Sequence, residues 1–237
     1  MSPSVRFTSR PALTPSGTGI VKVSTWNVGT PERQRRTVEA VRAAWGSRDW
    51  PHPGLLSYGV LAGDDGKSLL NYSRWADEAA HREFARTGRD ERVAEIDAAV
   101  PGIERVGLRA FELYRSGAKE DDSRETGCVV SVDVEFDGPD PARQRAWVDA
   151  VFEALDSDPA PAPGGIAAHF HVSTDGTRVF NYAEWESAQA HIDALGASGD
   201  GVGSTTPQWH RVQNYPGLKG STVRRWTPAL GIEPGPR

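Results

Sequence analysis

The hydrophobic and polar positions at the start of the chain change period within a few residues. Residues 20–28 (IVKVSTWNV) alternate and are rich in β-branched and aromatic side chains, which predicts a strand. Residues 30–32 (TPE) form a typical helix start, with a capping hydroxyl and a proline at the first helical position. Apolar residues then recur at helical spacing as far as Trp45. The sequence therefore predicts a strand followed by a helix.

The next part of the chain predicts a hairpin, a second helix and a last strand. Residues 55–63 and 68–75 have the composition of strands and are joined by an Asp-Gly turn. Residues 76–96 have the apolar spacing of a helix, and residues 107–115 predict a final strand. The order β-α-β-β-α-β is that of the ferredoxin-like arrangement, an α+β fold with both helices on one face of an antiparallel sheet.

A second copy of this pattern follows in the same chain. Residues 69–81 (LLNYSRWADEAAH) and residues 179–191 (VFNYAEWESAQAH) share Asn-Tyr, a Trp and a His in register, at an offset of 110 residues. The same offset pairs PERQRRTVEAVRAAWGS, which starts at Pro31, with PARQRAWVDAVFEALDS, which starts at Pro141. Because the register is kept across loops as well as helices, we interpret the chain as a tandem duplication of one domain.

The repeat sets the predicted domain limits. We expect a flexible tail at 1–19, a first domain at 20–115, a charged linker at 116–127, a second domain at 128–227 and a tail at 228–237. Each ferredoxin-like sheet would leave one apolar face without helices. The predicted fold class is therefore α+β, with two tandem ferredoxin-like domains packed sheet to sheet as an intramolecular dimeric α+β barrel. A further homodimer is left open.

Composition and charge narrow the classes of partner. The 237 residues carry a formal net charge of −5, with a pI near 5.7, so nucleic acid and anionic membrane surfaces are poor candidate partners. No apolar run approaches the roughly 18 residues of a membrane helix, and residues 1–19 lack the apolar segment of a secretory signal. A single cysteine, Cys128, suits a reducing compartment. We therefore expect a cytoplasmic protein.

Asn71 and Trp75, like Asn181 and Trp185, are candidate site residues because residues an even number apart project from one face of a strand. An asparagine on an apolar face needs a partner, and the oxygen of a ligand could be that partner. The alternative is that the asparagine holds a neighbouring loop and the tryptophan is core. Tyr72 and Tyr182 follow the asparagines and project to the opposite side.

The histidines are a second group of candidates. His81 and His191 lie near the start of the second helix of each copy, where they could be acid–base groups or packed side chains. His169 and His171 lie on one face of a strand in the second copy alone, and a metal site there would need a third ligand. We predict no metal. The first copy instead has Asn27 at the end of its first strand.

At these residues the chain resembles the antibiotic biosynthesis monooxygenase family of dimeric α+β-barrel proteins. The resemblance rests on a third-strand asparagine, a tryptophan four residues later and a helix with a histidine near its start. The family includes cofactor-independent oxygenases that convert phenols and anthrones of aromatic polyketide pathways into quinones. Its haem-degrading branch places the histidine later, where this chain has Ala85 and Leu195, which argues against haem.

The resemblance implies a cofactor-independent monooxygenase with molecular oxygen and an aromatic polyketide as substrates. P-loop, dinucleotide-binding and nucleophile-elbow motifs are missing from the sequence, and we predict no cofactor. The second copy is the better candidate for catalysis because of its extra histidine, and the first copy, with Asn27 and Asn71, is a close alternative. A non-catalytic or cyclase-like polyketide-binding protein of the same fold is the alternative. The residues expected to be catalytic are Asn71, Trp75, Asn181, Trp185, His171 and His191, and those expected to bind substrate are Asn27, Tyr72, His81, His169 and Tyr182.

Overall fold

The structure is a computed structural model that describes residues 3–11, 19–118, 122–158, 162–196 and 205–236. The chain divides into two compact units. Unit 1 comprises residues 1–110 and 227–237, and unit 2 comprises residues 111–226.

Unit 1 contains the four strands and two helices of the predicted arrangement, together with one added strand and one added helix. Its elements are β1 (Val5–Thr8), β2 (Ile20–Asn27), α1 (Pro31–Gly46), β3 (Leu55–Gly63), β4 (Ser68–Trp75), α2 (Glu78–Thr87), α3 (Arg89–Ala99) and the first part of β5 (Glu104–Ala118). The elements of unit 2 are β6 (Cys128–Phe136), α4 (Pro141–Ser157), β7 (Gly165–Ser173), β8 (Arg178–Trp185), α5 (Ala188–Gly196), α6 (Pro207–Gln213) and the first part of β9 (Leu218–Pro234).

The strand order of each unit is that of the ferredoxin-like arrangement. The order is β3-β4-β2-β5 in unit 1 and β7-β8-β6-β9 in unit 2. In both units the first strand of the repeat is central, and the two hairpin strands follow it on one side. The end of β9 and β1 extend the sheet of unit 1 beside β3, and the end of β5 extends the sheet of unit 2 beside β7. The predicted α+β class and the ferredoxin-like arrangement of the repeated domain are confirmed.

The repeated residues of the first helix anchor that helix to the hairpin. Thr30 caps α1 by accepting a hydrogen bond from the backbone N–H of Arg33, and Asp140 caps α4 in the same way. The buried Gln34 Nε2 donates to the backbone oxygens of Gly63 and Ser68, at the two ends of the hairpin turn. Its counterpart in unit 2, Gln144, donates to the equivalent hairpin ends. The Arg-Gln-Arg segment therefore recurs because the glutamine satisfies buried carbonyls.

Several predicted boundaries were wrong. Residues 5–8, placed in the flexible tail, form β1 and pair with residues 231–234 of β9, so residues 228–234 are not a tail either. Residues 116–118, placed in the linker, continue β5, while residues 12–18 and 119–121 lie outside the described residues. These segments lack a strong alternating pattern of their own, and pairing with a distant strand satisfies their backbone groups.

The second helix of the first copy also differs from its prediction. The single helix expected over residues 76–96 is two helices, α2 and α3, which meet at Gly88. Gly88 has φ −130°, outside the helical region, and glycine is a poor helix former. The break matters for the site because it lets α3 carry its own side chains toward the sheet.

Two glycines that the repeat places 110 residues apart, Gly54 and Gly164, are required by close packing. A Cβ at Gly54 would lie 2.5 Å from the Cβ of Ala80 on α2, and a Cβ at Gly164 would lie 2.5 Å from the Cβ of Ala190 on α5. Gly164 also has a φ of +79°, which strains any residue with a side chain.

We expect Gly54→Ala to lower the free energy of unfolding by about 1–3 kcal/mol, as overpacking does, and Gly164→Ala to lower it more. Urea denaturation followed by circular dichroism measures both changes. Gly138→Ala is the matched control, because a Cβ at Gly138 meets nothing within 4 Å. An unchanged unfolding midpoint for Gly54→Ala would contradict the packing argument.

Candidate functional site

Unit 1 contains a cavity of about 200 Å³ between its sheet and its helices. Its walls are one face of β2, β3 and β4, parts of α1, α2 and α3, and the start of β5. Five aromatic side chains line it: Trp26, Trp45, Tyr58, Trp75 and Phe84. Such a cavity is smaller than the roughly 300–1,000 Å³ of most ligand pockets, so it suits a compact, flat and largely apolar molecule.

The strand register brings Asn71 and Trp75 to this cavity, as the sequence predicted for their shared face. Asn71 on β4 pairs with Ser24 of β2 and with Val60 of β3, and directly paired residues project to the same side of a sheet. Tyr58, two residues before Val60, lies on that face as well, and its hydroxyl donates a 2.6 Å hydrogen bond to Asn71 Oδ1. Burial raises the pKa of Tyr58, so its hydroxyl remains a donor at physiological pH.

The Tyr58 hydrogen bond leaves the other end of the Asn71 amide free. Asn71 is 5% exposed, and its Nδ2 is buried without a hydrogen-bond partner among the described residues. Because the carbonyl end is held by a donor, the N–H₂ end is the part of the amide that remains available. A buried donor of this kind is costly unless an acceptor reaches it. The arrangement can therefore donate a hydrogen bond to a ligand oxygen in the cavity.

His81 adds a group that can accept a proton. Its ring lies against Trp75 in an edge-on contact, with centroids 5.1 Å apart and planes at 83°. Burial, with the positive charge of Lys22 as the next cause, lowers the pKa of His81 from its ordinary value. The imidazole is therefore neutral near pH 7. Its Nδ1 is buried without a hydrogen-bond partner in the described part of the chain and lies 3.9 Å from Glu78.

Trp75 is fixed by contacts on both sides of its ring. Its Nε1 donates a 2.9 Å hydrogen bond to the Ser73 hydroxyl, and its ring lies 5.2 Å from the ring of Phe84. Trp45 packs against Tyr58 with centroids 4.9 Å apart. These contacts hold the aromatic walls in place, so a flat ligand would meet a preformed surface rather than one it must order.

Unit 2 places the equivalent residues on the helix side of its own sheet but surrounds them differently. Asn181 Oδ1 is buried without a hydrogen-bond partner among the described residues, and Ala168 stands where the repeat has Tyr58. None of the described residues holds one end of this amide as the tyrosine does. His191 packs edge-on against Trp185, with centroids 4.9 Å apart, and accepts a 3.0 Å hydrogen bond from Arg225 Nε. Burial and the Arg225 charge lower the pKa of His191 to about 4.

His169 and His171 do not join this group, which corrects the expectation for His171. His171 pairs with Phe180 and His169 pairs with Tyr182, whereas Asn181 pairs with Phe170. Both histidines therefore project from the face opposite to Asn181. His171 is fully buried, with its Nδ1 3.1 Å from the Phe180 backbone oxygen.

His169 belongs to a polar network at the edge of unit 2. Its Nδ1 lies 2.9 Å from the Ser116 hydroxyl, and its Nε2 lies 3.7 Å from Glu184. The Thr126 hydroxyl donates to the same glutamate at 2.5 Å. In the described residues no group of three or more His, Cys, Asp or Glu side chains is placed to hold a metal ion.

Three further candidates lie away from the cavity. Tyr72 and Tyr182 are buried on the sheet faces opposite to the asparagines, as their strand positions indicated. Asn27, expected to bind substrate, is exposed and donates a 3.0 Å hydrogen bond to Glu104. Asn27 pairs with Ser68, three residues before Asn71, so it projects to the other side of the sheet.

Tyr58 and Arg92 are among the lining residues that sequence reasoning missed. Tyr58 lies on a strand that was predicted correctly, but only the register of β3 against β4 places it beside Asn71. Arg92 lies in the part of the predicted helix that became α3. A sequence signal existed for Tyr58, since it is a polar aromatic residue in the first copy whose counterpart is Ala168.

With this geometry established, the similarity to known proteins can be interpreted. Residues 129–199 match the family model described as antibiotic biosynthesis monooxygenase. Unit 2 contains an antibiotic biosynthesis monooxygenase domain. The family resemblance predicted from the motifs is thereby confirmed. No curated protein matches the chain.

Solved structures resemble the chain over most of its length. An anthrone oxidase-like protein, 18% identical, covers 94% of this chain and 97% of its own, with a TM-score of 0.70. A Lactobacillus acidophilus NCFM protein provisionally named a monooxygenase is 13% identical, with coverages of 90% and 95% and a TM-score of 0.57. A similarly named Fusobacterium nucleatum protein is 10% identical, with coverages of 92% and 95% and a TM-score of 0.59.

At these identities the likeness to solved structures shows the fold. The match of residues 129–199 adds the resemblance of unit 2 to the antibiotic biosynthesis monooxygenase family. Together they support a monooxygenase-type function. Within the described residues, each helix is too short or too polar to cross a membrane.

We expect the lowered pKa of His191 to make stability depend on pH between about 6.5 and 4. The unfolded chain takes up a proton as the pH falls below about 6.5, whereas folded His191 does so only near pH 4. The free energy of unfolding should therefore fall as the pH falls through this window, by up to about 1.4 kcal/mol per pH unit from this one group. Urea denaturation at pH 8, 6.5, 6 and 5 measures the slope.

His191→Gln should reduce that slope, because the variant has no imidazole to protonate. The difference in stability between variant and wild type should be constant from pH 8 to about 7 and should narrow below 6.5. Equal slopes in the two proteins from pH 6.5 to 5 would contradict the assigned shift.

Proposed function

We propose that this protein is a cofactor-independent monooxygenase that oxidises a phenolic or anthrone-type aromatic polyketide to a quinone in secondary-metabolite biosynthesis, and that the reaction takes place in the unit 1 cavity. One observation carries the proposal: Asn71 presents a buried N–H₂ group that has no partner among the described residues, in an aromatic-lined cavity that also contains a neutral histidine. The monooxygenase domain and the fold agree with this chemistry.

The substrate itself supplies the electrons in this reaction. Ground-state oxygen is a triplet and reacts slowly with closed-shell molecules unless one electron is transferred first. A phenol or anthrone becomes a good electron donor once it has lost a proton to form a delocalised anion. The protein therefore has to bind the flat molecule, stabilise its anion and exclude water.

Asn71 and His81 would perform the first step together. His81 Nδ1 accepts the proton from the anthrone methylene carbon, since the imidazole is neutral and this nitrogen has no partner among the described residues. The negative charge moves to the carbonyl oxygen of the substrate, where Asn71 Nδ2 donates a hydrogen bond, as donors in an oxyanion hole do. Trp75 fixes the plane of the rings.

The later steps need no reactant other than oxygen and the proton held by His81. The anion transfers one electron to oxygen, and the substrate radical and superoxide combine to form a carbon–oxygen bond. The resulting peroxide takes back the proton from His81 to give a hydroperoxide. Loss of the remaining hydrogen on that carbon with cleavage of the O–O bond releases water and leaves a carbonyl. One oxygen atom thus enters the quinone and the other leaves as water.

The geometry favours unit 1 over unit 2, the copy that the extra histidine had suggested. His171 lies on the other face of the sheet from Asn181. His191 already accepts a hydrogen bond from Arg225, and its pKa near 4 makes it a weak base. The cavity wall of unit 1 includes Lys22 and Ser24, and Ser24 pairs with Asn71. The equivalent positions of unit 2, identified by the pairing of Val132 with Asn181, are Val130 and Val132.

Substitution of each asparagine tests the function and its place. With an anthrone as substrate and an oxygen electrode as the readout, we expect Asn71→Ala to lower kcat by about 100- to 1,000-fold, as loss of an oxyanion donor does. The matched variant Asn181→Ala should keep most of the activity. Loss of activity in Asn181→Ala alone would move the reaction to unit 2. Binding of the anthrone without oxygen uptake by the wild type would indicate a polyketide-binding or cyclase-like protein instead.

Tyr58→Phe tests the hydrogen bond that holds the amide. Without the hydroxyl the Asn71 amide can rotate, so we expect kcat to fall by up to about 10-fold, the equivalent of one ordinary hydrogen bond, while KM changes little. Tyr114→Phe, which removes an exposed hydroxyl that donates to Asp149 in unit 2, is the control. An unchanged kcat for Tyr58→Phe in a folded protein would show that Asn71 needs no such support.

A further inference from the structure

The charged side chains that line the unit 1 cavity are cationic, although the chain as a whole is acidic. Four cationic side chains line it, namely Lys22, Arg89, Arg92 and Arg105, and the described lining includes no Asp or Glu. The whole chain, in contrast, has a formal net charge of −5. A cavity lined by one sign of charge attracts the opposite sign, so the lining favours a negatively charged ligand.

Three of the four cations have carboxylate partners outside the lining. Lys22 pairs with Glu78 at 2.7 Å, and Arg105 forms two hydrogen bonds to Asp97, the shorter one 2.7 Å long. The exposed Arg89 lies 3.3 Å from Asp90. Their charges are therefore largely compensated in the protein itself.

Arg92 on α3 forms no ion pair with a carboxylate of the described residues. It is 5% exposed, its Nη1 and Nη2 donate to the backbone oxygens of Gly88 and Asp49, and its guanidinium lies 5.0 Å from the centre of the Trp45 ring. Glu91 and Glu95, the acids whose charges act on Arg92, both pair with Arg48.

The Nε of Arg92 is buried without a hydrogen-bond partner in the described part of the chain. Neutral carbonyls satisfy two donors of the guanidinium but do not neutralise its charge, and a buried unpaired charge is costly. Arg92 is therefore held rigidly, by its contacts with the backbone and with Trp45, while a charged part of it still lacks an anionic partner.

We propose that the unit 1 substrate is an aromatic carboxylic acid and that Arg92 binds its carboxylate. The inference rests on the proposed function and specifies its substrate class. Asn71 belongs to the sheet wall and Arg92 to the helix wall of the cavity. The substrate thus offers a carbonyl or phenolate oxygen to Asn71 and its carboxylate to α3. A cavity of about 200 Å³ suits a ring system of two or three rings.

A carboxylate fits the free part of Arg92 better than a phosphate does. Two of the five N–H donors of Arg92 bond to backbone oxygens, and Nε has no hydrogen-bond partner among the described residues. The single positive charge of Arg92 matches the single negative charge of a carboxylate. A phosphate monoester would bring a charge of nearly −2, which the one charge of Arg92 does not balance.

The test compares a hydroxyanthrone carboxylic acid with its methyl ester in the full-length protein. Equilibrium binding is measured without oxygen by quenching of tryptophan fluorescence, since Trp26, Trp45 and Trp75 line the cavity. The two ligands have nearly the same shape and differ in one charge. We expect the acid to bind at least about 10-fold more tightly than the ester, as charge-assisted hydrogen bonds do.

Arg92→Gln should weaken binding of the acid to the level of the ester and leave the ester unchanged. Arg86→Gln is the matched control, because it removes an exposed cation on the neighbouring helix that lies outside the cavity lining and should keep the preference. The comparison of acid and ester in the wild type needs no variant, so the inference remains testable if Arg92→Gln does not fold.

Equal affinities of the acid and the ester in the wild type would overturn the inference, and a preference that survives in folded Arg92→Gln would overturn the role of Arg92. Oxygen uptake with the same two ligands separates this inference from the proposed function. Preferred binding of the acid with no oxygen uptake would disprove the oxygenase and leave the carboxylate site. Oxygen uptake with equal affinities for the acid and the ester would disprove the carboxylate site and leave the oxygenase.

Discussion

The candidate site depends on how one buried amide is satisfied. An asparagine on the apolar face of a strand has an acceptor and a donor that both need partners, and Tyr58 supplies a partner for the acceptor alone. Because the tyrosine is itself buried and keeps its proton, the amide has one stable orientation. The donor that remains faces a cavity lined by tryptophans. The same contact thus orients Asn71 and leaves its Nδ2 without an acceptor among the described residues. An oxygen atom of a bound ligand could accept that hydrogen bond.

The two copies of the domain share residues that stabilise the fold but differ in the residues around the asparagine. Residues that both copies share have structural explanations, such as the glutamines that bond to the hairpin ends and the glycines that lie against a helix alanine. The residues that hydrogen-bond to the asparagine and to the histidine are not shared. Unit 1 has Tyr58, whereas unit 2 has Ala168, and the unit 2 histidine bonds to Arg225. The two copies therefore have the same packing contacts but different hydrogen-bond partners around the asparagine and the histidine.

Charge and burial act together in the unit 1 cavity. The cations around His81 and the low exposure of its ring both disfavour a second positive charge, so the imidazole is neutral and can act as a base. Arg92, on the helix wall of the same cavity, favours an anion on the substrate side.

The sequence by itself determined the duplication, the order of strands and helices, and the shared face of Asn71 and Trp75. These features depend on local periods of two or 3.6 residues and on a constant offset, which can be recognised without knowing what packs where. Only the tertiary structure decided that Tyr58 meets Asn71, that His171 lies on the opposite face from Asn181, that Asn27 is exposed, and that α3 brings Arg92 to the cavity. These outcomes depend on the register between strands and on contacts between distant residues. A shift of one residue reverses the face of every side chain in a strand, and no local pattern in this chain specifies that register.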